Sequence, residues 1–223
     1  VDLARRTRDP AVIARAIEVA AATRQNELAL DLARLWLQVE PESTRARQTE
    51  SSLLVLANRI DDLGPQLANL LAQDQANLAN NLMHLNSMLS RHGDKKAVQR
   101  LVDRVAAPYS DLPEAHFAMG VAAANADDLM HAQGEFQKAL EQRPDWETAE
   151  LAYAQLLAKT SLASAIESLN EFLARKPDAR DARLTLARLL ISEQMYTEAR
   201  AQFDILLKAA PDNPDVIYPV AML

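Results

Sequence analysis

Apolar and small residues recur at spacings of three and four along the whole chain, the period of helices with one buried face. Between Pro113 and Asn213 the arrangement is written three times. The first copy runs His116, Met119, Gly120, Ala123, Ala132, Phe136, Ala139, Leu140 and Pro144. The second runs Glu150, Tyr153, Ala154, Leu157, Ala165, Leu169, Phe172, Leu173 and Pro177. The third runs Arg183, Leu186, Ala187, Leu190, Ala199, Phe203, Leu206, Leu207 and Pro211. The closing prolines lie 33 and 34 residues apart. A fixed period of this length predicts a repeat array in which each unit buries its apolar face on its neighbours.

These spacings resemble the tetratricopeptide repeat, a helix–turn–helix unit of about 34 residues. Upstream, Ile13, Ala16, Ile17, Ala20, Ala29, Ala33, Trp36, Leu37 and Pro41 repeat the pattern. Two intervening units are degenerate, with Glu50, Ser51 and Asn86 where small or apolar residues are usual. The resemblance implies an all-α fold, a right-handed tetratricopeptide solenoid of antiparallel helix pairs. Repeats are expected at about 10–43, 44–77, 79–112, 113–146, 147–179 and 180–213. Partial repeats at 1–9 and 214–223 make the chain read as one array, a piece of a longer protein.

Punctuation agrees with these helices. Asp9 before Pro10 and Asn213 before Pro214 place a capping side chain ahead of a proline suited to a first turn. Asp94, Asp127, Asp128 and Thr197 are expected caps of second helices. Pro41, Pro144, Pro177 and Pro211 are expected to end second helices, and Pro65 to fall in a first turn. Pro219 would interrupt a helix begun at Pro214. No apolar run approaches the length that crosses a bilayer, so this chain is not expected to insert in a membrane. Cysteine is absent, which removes disulfides and thiolate metal sites.

The net charge of −7 is concentrated in residues 111–150, where nine acids face two bases. Glu114, Asp127, Asp128, Glu135, Glu141, Glu147 and Glu150 form a candidate acidic patch that would steer a basic partner. The competing reading places several of these acids in turns and caps. Lys95, Lys96 and Arg100, between Arg91 and Arg104, have no accompanying aromatics. They read as a solvated helix face, and no nucleic acid partner is expected. His84, His92, His116 and His131 lack the spacing of a helical metal site. His116 is expected to pack between helices, and His84 and His131 to lie at the surface. No catalytic, metal or cofactor constellation is found, so the chain is read as a non-enzyme without cofactors.

In the family that the repeats resemble, first helices line a concave groove. Carried onto this sequence, the groove positions include Met83, Phe117, Val121, Leu151, Gln155, Leu184, Arg188 and Ile191. Met83, Phe117, Leu151 and Leu184 make an apolar stripe that either receives a partner segment or is buried in the stack. The resemblance thus implies protein–protein binding as a scaffold or adaptor. Its rivals are a self-associating array, a homo-oligomer with its groove filled by another copy, and the interaction region of an enzyme whose catalytic domain lies elsewhere. The wording RRTRDPAVIARAIEVA and LALDLARLWLQVEP also resembles long tetratricopeptide lipoproteins of Gram-negative bacteria. That likeness implies a bacterial adaptor on the periplasmic side of the outer membrane; a cytoplasmic location stays open.

Overall fold

The computed structural model describes residues 2–56, 60–210 and 216, without the side chains of 55, 56 and 61. The expected boundary at Pro211, the cap at Asn213 and the interruption at Pro219 lie outside the described residues. Among the described residues every regular element is helical. The α-helices are α1 (Asp2–Thr7), α2 (Pro10–Ala22), α3 (Asn26–Val39), α4 (Thr44–Leu56), α5 (Gly64–Gln73), α6 (Leu78–Leu89) and α7 (Lys95–Ala106). They continue with α8 (Pro113–Asn125), α9 (Leu129–Gln142), α10 (Glu147–Ala158), α11 (Leu162–Arg175), α12 (Arg180–Ser192) and α13 (Tyr196–Ala209).

Side chains at the helix starts explain many of these boundaries. Asp9 accepts from the backbone N–H groups of Ala11 and Val12. Asp94 accepts from Ala97 at 2.9 Å, Asp128 from His131 at 3.3 Å and Ser161 from Ser164 at 3.1 Å. Two expected caps do not act as caps. Thr197 lies inside α13, which starts after Met195 without a side-chain cap. Asp127 takes φ 60°, ending α8. Its place is shared by Arg24 after α2 and Gln194 after α12, with φ 57° and 60°. In each case the next N–H reaches back to a carbonyl five residues earlier, at 2.9 Å (Gln25 to Ala20), 3.0 Å (Asp128 to Ala123) and 2.8 Å (Met195 to Leu190). This bond satisfies a helix-end carbonyl that would otherwise be orphaned. The α10–α11 turn lacks the left-handed residue; it is as long as the others, and the 33-residue spacing loses its residue from α10, which has 12 residues against 13 in α8 and α12.

The chain divides into two compact units, Val1–Gln75 with Leu89–Val105, and Ala76–Met88 with Ala106–Leu223. In the first, α1 to α4 pack in succession around Ile13, Leu30, Leu32 and Leu54. Arg34 reaches Asp62 at 2.9 Å and Glu50 at 3.5 Å.

In the second unit each helix from α8 to α13 packs on the next, as antiparallel pairs α8–α9, α10–α11 and α12–α13. We call the leading members, α8, α10 and α12, first helices. They also touch one another, and the second helices do so less. The first helices therefore line the inner side of this stack. Phe136, Phe172 and Phe203, one from each second helix, are almost fully buried and form its spine.

Alanine makes such close packing possible. Ala132 and Ala199 are completely buried, whereas Glu141 is exposed. Ala132→Leu or Ala199→Leu should therefore each destabilise by about 1–3 kcal/mol through overpacking. Glu141→Gln should melt with the wild type. Coincident thermal melts for Ala199→Leu and Glu141→Gln would contradict this packing.

Candidate protein-binding face

The groove residues expected from sequence fall on the first helices and α6, and the structure sorts them by burial. Met83, Phe117, Leu151, Leu184 and Ile191 are half-buried, and Gln155 and Arg188 are exposed. Leu151, Leu184 and Ile191 pack against the core formed by α10 to α13. Phe117 sits between two rings, its centroid 5.8 Å from that of Phe136 and 5.0 Å from that of Trp146. The Arg143 guanidinium lies over Trp146 at 4.6 Å. Much of the apolar stripe is thus committed to the stack.

Val121 and Gln155 are brought together at one hollow of about 170 Å³ on the inner side of α8 and α10. Phe136 and Leu156 contribute apolar lining, Ala124 and Ala152 keep the space open, and Asn125 and Lys159 add polar groups. Gln155 and Asn125 are exposed, so amides stand beside an apolar recess. Asn125 and Lys159 were missed as site residues. Asn125 is the last residue of α8 and Lys159 is the C-cap of α10, so both stand at the ends of first helices beside the hollow.

The seven acids do not form the acidic patch expected from their density. Glu114, Glu135 and Glu150 are buried, with relative exposures of 7%, 5% and 1%. Glu114 pairs with Arg143 at 2.5 Å. Glu147 accepts from the backbone N–H of Ala182 at 2.9 Å and so anchors the start of α12. Asp128 caps α9, and Asp127 lies 4.0 Å from Lys159. Glu141 alone is a simple exposed carboxylate with no assigned task. The charge is largely consumed by internal structure, because carboxylates satisfy helix-start donors and pair with neighbouring cations.

His116 is buried as expected. Its Nδ1 lies 2.6 Å from a Glu135 carboxylate oxygen, and its Nε2 lies 2.9 Å from the Ser110 carbonyl. The other Glu135 oxygen accepts from Lys138 at 2.8 Å. Burial pushes the Glu135 carboxyl up, but hydrogen bonds from His116 and Lys138 outweigh it and hold it below its ordinary 4.5. Glu150 goes the other way. Burial raises it above 4.5, and the Ser168 hydrogen bond and the charge of Arg175 only partly oppose this. Of the histidines expected at the surface, His84 is exposed and His131 is half-buried. Among the described residues no group of three potential ligands could hold a metal ion. Among them, too, no helix is long and apolar enough to cross a membrane.

Residues 156–218 match the tetratricopeptide repeat family. The described helices have the fold of a tetratricopeptide repeat array. Solved structures with this fold include the C-terminal part of a repeat-containing protein from Cytophaga hutchinsonii. It is 16% identical, with a TM-score of 0.51 over 94% of this chain and 86% of that one. The Cut9-Hcn1 hetero-tetramer of the APC/C is 14% identical, with a TM-score of 0.50 over 99% of this chain and 44% of that one. A MamA double mutant (RS-1) is 20% identical, with a TM-score of 0.50 over 65% of this chain and 82% of that one. No curated protein sequence matches this chain. Its fold is generally a non-catalytic one that serves protein interaction.

Proposed function

We propose that this tetratricopeptide protein is a non-enzymatic scaffold or adaptor that takes an apolar side chain of a partner protein into the hollow between α8 and α10. The hollow itself carries the reading. An apolar cavity of about 150 Å³ admits a benzene-sized group, so about 170 Å³ has room for one aromatic or branched aliphatic side chain. The exposed amides of Asn125 and Gln155 suit the main chain of the segment bearing that anchor. Half-buried Val121 supplies apolar contact at the hollow.

Ala124→Phe fills the hollow from its own half-buried wall. A peptide selected by the wild type from a library of random linear peptides should bind this variant at least about tenfold more weakly, a loss of about 1.4 kcal/mol. Its thermal melt should stay close to wild type. Equal binding to both proteins, measured by fluorescence anisotropy, would move the site elsewhere. Aspartate at Phe117 and Leu151 would not test the hollow, because both side chains also hold the stack.

A second reading, self-association, is favoured by a separate apolar hollow in the first unit. Its volume is about 680 Å³, and Leu3, Val12, Ala16 and Val19 contribute to its lining. Leu3 and Val19 are 62% and 54% exposed. Light scattering of Val19→Glu against wild type separates the two readings, since only self-association predicts a loss of mass. The likeness of residues 1–43 and 111–218 to Gram-negative lipoproteins supports placing the adaptor in the periplasm. Fractionation of cells producing the full-length protein tests that location.

A further inference from the structure

Three consecutive helix pairs of the second unit carry a buried polar residue at one and the same repeat position. The residues are His116, Glu150 and Arg183, 34 and 33 apart, with exposures of 6%, 1% and 9%. Each meets the second helix of its own pair, again at a constant position. His116 meets Glu135 at 2.6 Å, Glu150 accepts from Ser168 at 2.6 Å, and Arg183 donates to Gln202 at 2.7 Å. Two of the three also bond a carbonyl six residues upstream: His116 at Ser110, 2.9 Å, and Arg183 at Pro177, 2.7 Å. The corresponding residue in the first repeat is Ile13, which is wholly buried, so the position accepts an apolar side chain.

We infer that these rungs are a pairing code that matches each first helix to the second helix following it in the chain. Two of the first helices are flanked by two second helices of similar shape: α10 packs on both α9 and α11, and α12 on both α11 and α13. Shape alone discriminates poorly among such repeats. The rungs do so chemically. Shifted onto the preceding second helix, Glu150 would face Glu135, two carboxylates in a buried site. Arg183 would face Ser168, one hydroxyl for a buried guanidinium. Both arrangements leave charge uncompensated, which is far more costly than losing an ordinary contact. Buried polar groups can serve such registry at the expense of stability.

The test transplants one rung onto another in the whole chain. His116→Glu alone sets a carboxylate against Glu135 and should lower the melting temperature by about 10 °C. Adding Glu135→Ser recreates the Glu150–Ser168 rung and should recover at least half of that loss. A double variant no more stable than His116→Glu, or a single variant that melts with wild type, overturns the inference. The apolar pair His116→Leu with Glu135→Leu separates pairing from stability. The code predicts that it refolds from urea with doubled amide resonances from α8 to α10, the sign of mixed pairing. Refolding of this apolar double variant to a single sharp set of resonances would show that the rung does not select partners.

Discussion

Gly120→Val is expected to destabilise the second unit by about 3 kcal/mol, while Gly134→Ala, one helix later, stabilises it by up to about 1 kcal/mol. Both glycines lie inside helices, where glycine is the poorer choice by about 1 kcal/mol against alanine. Space decides the sign. A Cβ at Gly120 would stand 2.8 Å from two carbons of the Phe136 ring, and that ring is itself buried to 1% exposure. The ring cannot withdraw without displacing Ala123, Ala132 and Leu156 around it. A Cβ at Gly134 meets nothing within 4 Å. The gain in helix propensity therefore survives at Gly134 and is overwhelmed at Gly120, where valine adds two more carbons and a stiff branch. Thermal melts of the two variants should move in opposite directions. Equal shifts would mean that α8 and α9 do not approach through Gly120.

The second large effect is a split between two buried glutamates. At neutral pH Glu135→Gln should lose about 3 kcal/mol, because it strips the carboxylate from His116 and Lys138 while both remain in place. Glu150→Gln should gain stability, since it removes a charge that burial disfavours and keeps an acceptor for Ser168. The signs with pH follow from linkage. The Glu135 carboxyl is held below its ordinary value in the fold. Its contribution is present above the unfolded value of about 4.3 and fades as pH falls through the folded one. Glu150 is held above its ordinary value. Its contribution is present below about 4.3 and is lost as pH rises through the folded value. Urea titrations at a series of pH values should show the Glu135→Gln deficit shrinking in acid, and the Glu150→Gln advantage shrinking there as well. A deficit at Glu135 that is independent of pH would show that its charge plays no part in the pairing.

The all-α fold was legible because its signals are local and repeated. Gly120, Ala132 and Phe136 recur in kind at matching positions, and Asp9, Asp94 and Asp128 stand where helix-start donors need an acceptor. Periodicity and capping depend on neighbours within a few residues, so sequence alone reports them. The fate of charge was not local. Glu114, Glu135 and Glu150 look in sequence like members of an acidic surface, and only packing shows that each has turned inward to a partner 29, 19 or 18 residues away. The same holds for the groove. Sequence placed Phe117, Val121, Leu151 and Gln155 on first helices, but could not divide them. Tertiary contacts commit Phe117 to Phe136 and Trp146 and leave Val121 and Gln155 at an open hollow. Sequence by itself determined which residues face the stack, because helical period fixes direction. Only the tertiary structure decided how far each is covered and which polar groups meet, because both depend on the distance between helices rather than on the order of residues along one of them.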